Sequence, residues 1–132
     1  MEDTKKPVML IVEDDQENQT FLNFFMKRKF KTYVADDEFS FYEQLAKDKF
    51  DIILMDISLK GKKDGLQLTR EIRADEKYND VLVVGLSAHA FQRDKENAKK
   101  AGVDMFLTKP IPNDALMRHI TQIMKERKGI EI

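Results

Sequence analysis

Val8-Met9-Leu10-Ile11-Val12, followed at once by Glu13-Asp14-Asp15, sets five successive apolar residues against three successive acids. The run is too short for a helix, and it is apolar on neighbouring residues rather than alternate ones. Strands covered on both faces read this way, and such strands are usually parallel. Three further runs repeat the pattern: Ile52–Met55, Val81–Leu86 and Met105–Leu107. A weaker stretch, Thr32–Ala35, mixes polar and apolar residues and reads as an edge strand.

Between these runs the period changes. Gln16–Lys29 carries Phe21, Leu22, Phe24, Phe25 and Met26, with charge gathered in its last turn. A second helical region covers Glu38–Tyr42, and Gly65–Ile72 places Leu68 and Ile72 four apart. Ala90–Ala101 is polar with few apolar anchors and stops at Gly102, a left-handed helix cap. Asn113–Lys128 spaces Leu116, Ile120 and Ile123 by three and four. Strand and helix alternate throughout, which predicts an α/β sandwich with a parallel sheet.

Composition narrows the function classes. The 132 residues make one domain, a single unit from about Val8 to Lys128 with tails at 1–7 and 129–132. Lys and Arg number 23 and Asp and Glu 24, so a net charge of −1 gives no long-range pull on nucleic acid or acidic membranes. The basic runs at Lys27–Lys31, Lys60–Lys63 and Lys125–Lys128 read as solvated faces. Zero cysteines exclude disulfides, thiolate zinc sites and a cysteine nucleophile. No apolar run approaches the ~20 residues of a membrane span, and residues 1–7 lack the apolar stretch of a signal peptide. A cytoplasmic location is expected.

In an open parallel sheet, chemistry collects beyond the carboxyl ends of the strands. Glu13, Asp14 and Asp15 follow the first strand, Asp36 and Asp37 the edge strand, Asp56 the third, Ser87 the fourth and Lys109 the fifth. Each has a plain structural explanation: Asp14 or Asp15 caps the first helix, Ser87 caps the fourth, Asp56 sits in a turn, and Lys109 is a solvated strand end. Together these explanations leave clustered like charge unexplained. Two carboxylates about 4 Å apart repel by roughly 4 kcal/mol at an effective dielectric of about 20. Such a cluster needs a proton or a cation, and Mg²⁺, a hard oxygen-seeking ion that keeps open positions, answers that need.

Leu10-Ile11-Val12-Glu13-Asp14-Asp15, Ile53-Leu54-Met55-Asp56, Asp64-Gly65, Leu86-Ser87-Ala88-His89-Ala90 and Phe106-Leu107-Thr108-Lys109-Pro110, in this order and spacing, resemble a response-regulator receiver domain of two-component signalling. The resemblance implies a flavodoxin-like, doubly wound three-layer sandwich whose five parallel strands run in the order 2-1-3-4-5. It implies that Asp56 takes a phosphoryl group from a phosphohistidine. Glu13 and Asp14 would hold Mg²⁺ together with Asp56 and the backbone carbonyl of Ser58. Ser87 and Lys109 would bind the phosphoryl group, and Phe106 would turn inward as the switch aromatic. The Lys109–Pro110 bond is typically cis in this family.

The expected partners are a histidine kinase or histidine phosphotransfer protein and a target bound according to phosphorylation; a weak phosphorylation-dependent dimer fits the same resemblance. No nucleic-acid or membrane partner is expected. The protein would assist its own phosphotransfer without being a turnover enzyme. The alternative is a pseudo-receiver, an interaction module of the same fold that signals without phosphorylation.

Several residues depart from the usual pattern. Lys60 stands where Pro is common, the Lys60–Lys63 loop is one residue longer than usual, Lys29 replaces a Gly, Glu38–Tyr42 is unusually aromatic, and Phe106 replaces the common Tyr. Two other classes fail. Aspartate-nucleophile phosphohydrolases place a second Asp two residues after the nucleophile, where Ser58 stands here. Dinucleotide binding lacks its G-x-G-x-x-G after the first strand. His89 reads as a solvent-facing loop residue.

Overall fold

A computed structural model describes residues 6–59, 61–89 and 91–132. Residues 1–5 of the expected tail, Lys60 of the expected longer loop, and Ala90, the expected start of the fourth helix, lie outside the described residues. Strands β1 (Val8–Val12), β2 (Lys31–Ala35), β3 (Ile52–Asp56), β4 (Leu82–Ser87) and β5 (Met105–Thr108) alternate with helices α1 (Gln16–Met26), α2 (Glu38–Leu45), α3 (Gly65–Arg73), α4 (Gln92–Ala101) and α5 (Asn113–Lys128). All strand pairs are parallel, in the order β2-β1-β3-β4-β5. The expected sheet is therefore present, with β2 at its edge.

The pleat explains why β1 is apolar on every residue. Leu10 and Val12 face one core, where they join Phe41 and Leu45 of α2, Leu68 and Ile72 of α3, and Ala98 of α4. Met9 and Ile11 face the other, with Met26 of α1 and Leu116, Ile120 and Ile123 of α5. Successive side chains point to opposite faces, and helices cover both. Burying one such Leu or Ile contributes roughly 1.5–3 kcal/mol.

Several element boundaries differ from those read in the sequence. Helix α1 ends at Met26, not Lys29, because the chain tightens: both Lys29 and Phe30 donate to the Met26 carbonyl, at 3.1 and 3.0 Å. That tightening drops Phe30 into the core at 1% exposure. Helix α2 runs on to Leu45, whose side chain is buried, and α3 to Arg73. Helix α4 starts at Gln92 because Phe91 is extended, with φ −67° and ψ 151°. Ser87 ends β4 and does not cap α4, whereas Asp15 does cap α1, accepting from the Asn18 amide at 2.9 Å. At the carboxyl end, Gly129 takes φ 66°, and Ile130 and Ile132 fold back against the second core.

Candidate functional site at the carboxyl edge of the sheet

The sheet brings four of the expected polar residues to one edge. Asp56 is the last residue of β3 and Ser87 the last of β4, while Glu13 and Lys109 directly follow β1 and β5. The strands end in step. Asp56 pairs with Leu86, Ser87 pairs with Thr108, and the Lys109 amide donates to the Ser87 carbonyl at 2.8 Å. The Lys109–Pro110 peptide bond is cis.

Glu13 and Asp56 are buried, at 3% and 5% exposure, and Asp14 is half-buried. One carboxylate oxygen from each of Glu13, Asp14 and Asp56 lies within 4.8 Å of the others. The Lys109 ammonium stands 3.6 Å from Asp56 Oδ1 and 3.7 Å from Glu13 Oε1. The Asp15 amide donates to Glu13 Oε2 at 3.1 Å, the Ser58 amide to Asp56 Oδ1 at 3.0 Å, and Gln19 Nε2 to the Glu13 carbonyl at 3.0 Å.

Burial pushes the Glu13 carboxyl well above the ordinary carboxylate range. The Asp15 amide opposes that shift, the neighbouring Asp56 charge adds to it, and Lys109 opposes it. The Lys109 ammonium thus faces two of these three clustered acids, Glu13 and Asp56. Their donor set is all oxygen, which is what a hard divalent cation such as Mg²⁺ takes, and the residues fit that ion.

The loop after the acceptor position is pinned against the same edge. Asp64 caps α3 by accepting from the Gln67 amide at 2.9 Å, and the Gly65 amide donates to the Ile57 carbonyl at 3.2 Å. On the α3–α4 side, Ile57, Ser58, Leu59, Asp64, Ser87 and Phe106 help line a cavity of about 280 Å³. Phe106 is half-buried against the first core, and the Ser87 hydroxyl accepts from the His89 amide at 3.0 Å. Ser58 and His89 are exposed. Glu13, Asp14, Asp56, Ser58 and Lys109 therefore converge, and Ser87 and Phe106 line the cavity that Ser58 shares.

The sequence did not disclose the ion-pair group beside this loop. Lys63 Nζ lies 2.9 Å from Glu71 and 3.5 Å from Glu38, and the Tyr42 hydroxyl donates to Glu71. The only hint was the unusual aromatic content of Glu38–Tyr42.

A parallel five-stranded sheet in this order, with acids, a hydroxyl and a lysine on its carboxyl edge, defines a receiver class of protein. Residues 9–121 match the family model of the response regulator receiver domain, and the chain belongs to that family. It is 33% identical, over 86% of its length, to the response regulator mcs4 of Schizosaccharomyces pombe, covering 27% of that protein. It is 37% identical, over 89% of its length, to hybrid signal transduction histidine kinase I of Dictyostelium discoideum, covering 7% of that one. The chain thus spans a small part of these relatives.

Among solved structures, the receiver domain of sensor histidine kinase PA1611 from Pseudomonas aeruginosa is 32% identical, with a TM-score of 0.79 over 95% of this chain and 99% of that one; it is described with a magnesium ion coordinated in its active site cleft. A CheY-like receiver protein from Methanospirillum hungatei, 17% identical, shares the fold at a TM-score of 0.84 over 95% of this chain and 98% of that one. Receiver domains are generally not turnover enzymes. No helix among the described residues is long and apolar enough to cross a membrane.

Proposed function

We propose that this chain is a phosphoacceptor receiver domain that takes a phosphoryl group from a phosphohistidine onto Asp56 and changes its partner binding as a result. The observation that carries the reading is the Lys109 ammonium, 3.6 Å from Asp56 and 3.7 Å from Glu13, facing an acidic pocket that fits Mg²⁺. Glu13, Asp14, Asp56 and the Ser58 carbonyl are the proposed metal ligands. Bound there, Mg²⁺ would neutralise charge on the transferring phosphoryl oxygens.

An Asp56 carboxylate oxygen attacks phosphorus in line with the donor nitrogen. The new P–O bond forms as the P–N bond breaks, and the imidazole leaves with the electron pair of that bond. Phosphoryl transfer asks a site mainly for positioning and charge neutralisation. Lys109 supplies the fixed positive charge. The Ser58 amide holds the Asp56 oxygen it touches, which orients the other oxygen for attack. A groove lined in part by Glu13, Lys109, Phe21 and Leu22 opens beside the acid pocket. It supports docking of a histidine-bearing donor, either a histidine kinase or a phosphotransfer protein, in the cytoplasm.

Phosphorylation adds nearly two negative charges and several acceptor oxygens, to which Ser87 and Lys109 donate. The movement of Ser87 and the loop after it, followed by Phe106, then alters the surface offered to a protein target or a second copy.

Intact-mass spectrometry with Mg²⁺ and a small acyl or amido phosphate tests the reading. One added phosphoryl group on wild type and none on Asp56→Asn is the expected result. Equal labelling of the two overturns the Asp56 assignment. No labelling of either favours an interaction module that signals without phosphorylation.

A further inference from the structure

The chain between Asp56 and α3 is held at several points. Its ends meet where the Gly65 amide donates to the Ile57 carbonyl, and Leu59 is buried at 6% exposure. The third hold is Lys63, one residue before the Asp64 cap. Its ammonium lies 2.9 and 3.1 Å from the two Glu71 carboxylate oxygens, 3.5 Å from Glu38, and 6.0 Å from the centre of the Tyr42 ring. Glu71 also accepts from the Tyr42 hydroxyl and from Gln67 Nε2. A loop lysine therefore joins α2, through Glu38 and Tyr42, to α3, through Glu71.

This arrangement differs from an ordinary exposed ion pair. One cation faces two carboxylates and an aromatic ring, and its side chain is 35% exposed against 18% for Glu38 and 26% for Glu71. Removing the ammonium releases the loop from both helices, while Glu71 keeps its hydrogen bonds from the Tyr42 hydroxyl and Gln67 Nε2. Ser58 lies on that loop, between its closed end and Lys63.

We propose that Lys63 is a positioning residue for the cation site: by clasping the loop to α2 and α3, it holds the Ser58 carbonyl where a Mg²⁺ in the Glu13–Asp14–Asp56 pocket can use it. The inference rests on the reading of the site given above. Lys63 itself touches neither phosphoryl group nor metal, and its effect passes through the loop backbone.

The test follows both the amide NMR shifts of the acid pocket and the rate of Asp56 labelling by acetyl phosphate as Mg²⁺ is titrated, in wild type, Lys63→Met, Lys63→Arg and Glu71→Gln. Partners that orient metal ligands typically change metal affinity about 10–100-fold, and Lys63 acts one step further out, so Lys63→Met should raise the Mg²⁺ midpoint about 3–10-fold. The rate at saturating Mg²⁺ should hold. Lys63→Arg should restore most of the affinity, and Glu71→Gln should fall between.

A merely structural role would lower thermal stability without moving the midpoint. An unchanged midpoint in Lys63→Met, with wild type binding Mg²⁺ normally, overturns the Lys63 assignment and leaves the site reading intact. If Lys63→Met does not fold, an unchanged midpoint in Glu71→Gln has the same force. Wild type that needs no Mg²⁺ or takes no label overturns the site reading, and this inference with it.

Discussion

The Cβ that Gly65 lacks would stand 2.5 Å from the backbone carbonyl oxygen of Asp56 and 2.9 Å from the Ile57 Cα. The first residue of α3 thus packs directly on the backbone of the proposed acceptor, and only a residue without a side chain allows it. The carbonyl oxygen and the Cα are backbone atoms, so they cannot rotate away. Gly65→Ala should destabilise the fold by about 1–3 kcal/mol, the usual range for forcing a methylene-sized group into a packed site. Urea denaturation checks this, and the variant should also label more slowly because Asp56 is displaced.

The strands were legible because each β1 side chain has its own core: Met9 and Ile11 on one face, Leu10 and Val12 on the other. The site was legible for a related reason. Glu13, Asp56, Ser87 and Lys109 end or follow strands, and a parallel sheet brings such positions together whatever their distance in sequence. Contacts that depend on three-dimensional neighbours were not legible. Tyr42 and Glu71 are 29 residues apart and follow no periodic pattern. Likewise Arg73 reaches the carbonyls of Asn79, Val81 and Gly102 and the carboxylate of Asp104. Helix α4 buries only Ala98 and Ala101, so its start had no apolar marker.

Mg²⁺ should stabilise the folded protein. The pocket formed by Glu13, Asp14 and Asp56 exists only when the chain is folded, so an ion bound there shifts unfolding by mass action. At ten times its dissociation constant the gain is about 1.4 kcal/mol. Calorimetry should show the melting temperature of wild type rising with millimolar Mg²⁺. Asp56→Asn removes one of the crowded charges, so it should melt higher than wild type without metal and gain less from adding it.

Glu71 should shape the acid limb of stability. Its hydrogen bond from Tyr42 and its contacts with Lys63 hold its carboxyl down, to about 2 against an ordinary 4.5. A carboxyl with a depressed folded value stabilises the protein fully above its unfolded value and loses that contribution as pH falls through the folded one. The window is therefore about pH 4.5 down to about 2. Glu71→Gln has no such titration, so its deficit relative to wild type should shrink across that window. Partly exposed pairs contribute up to about 1 kcal/mol, which bounds the effect. Urea midpoints at pH 5, 4 and 3 check it.

Ser87 and Phe106 should carry the readout, separately from transfer. Ser87 is buried at 3% exposure, and its hydroxyl accepts from the His89 amide at 3.0 Å. A phosphoryl group on Asp56 offers it a charged acceptor instead, and a hydrogen bond to a charged group contributes roughly 1.5–3 kcal/mol. That is enough to shift two states by about ten- to a hundredfold. Moving Ser87 pulls on the loop that follows it, and the shared cavity gives Phe106 room to follow. Ser87→Ala keeps Asp56, the acid pocket and Lys109, so it should still take label, though more slowly. Amide NMR with beryllofluoride, a phosphoryl mimic, separates the roles. In wild type the shifts should run from Asp56 through Ser87 to Phe106; in Ser87→Ala they should stay around Asp56. Full-size changes at Phe106 in the variant would show that the hydroxyl does not couple the site to the surface, and the search for the coupling element would move to Lys109 and β5.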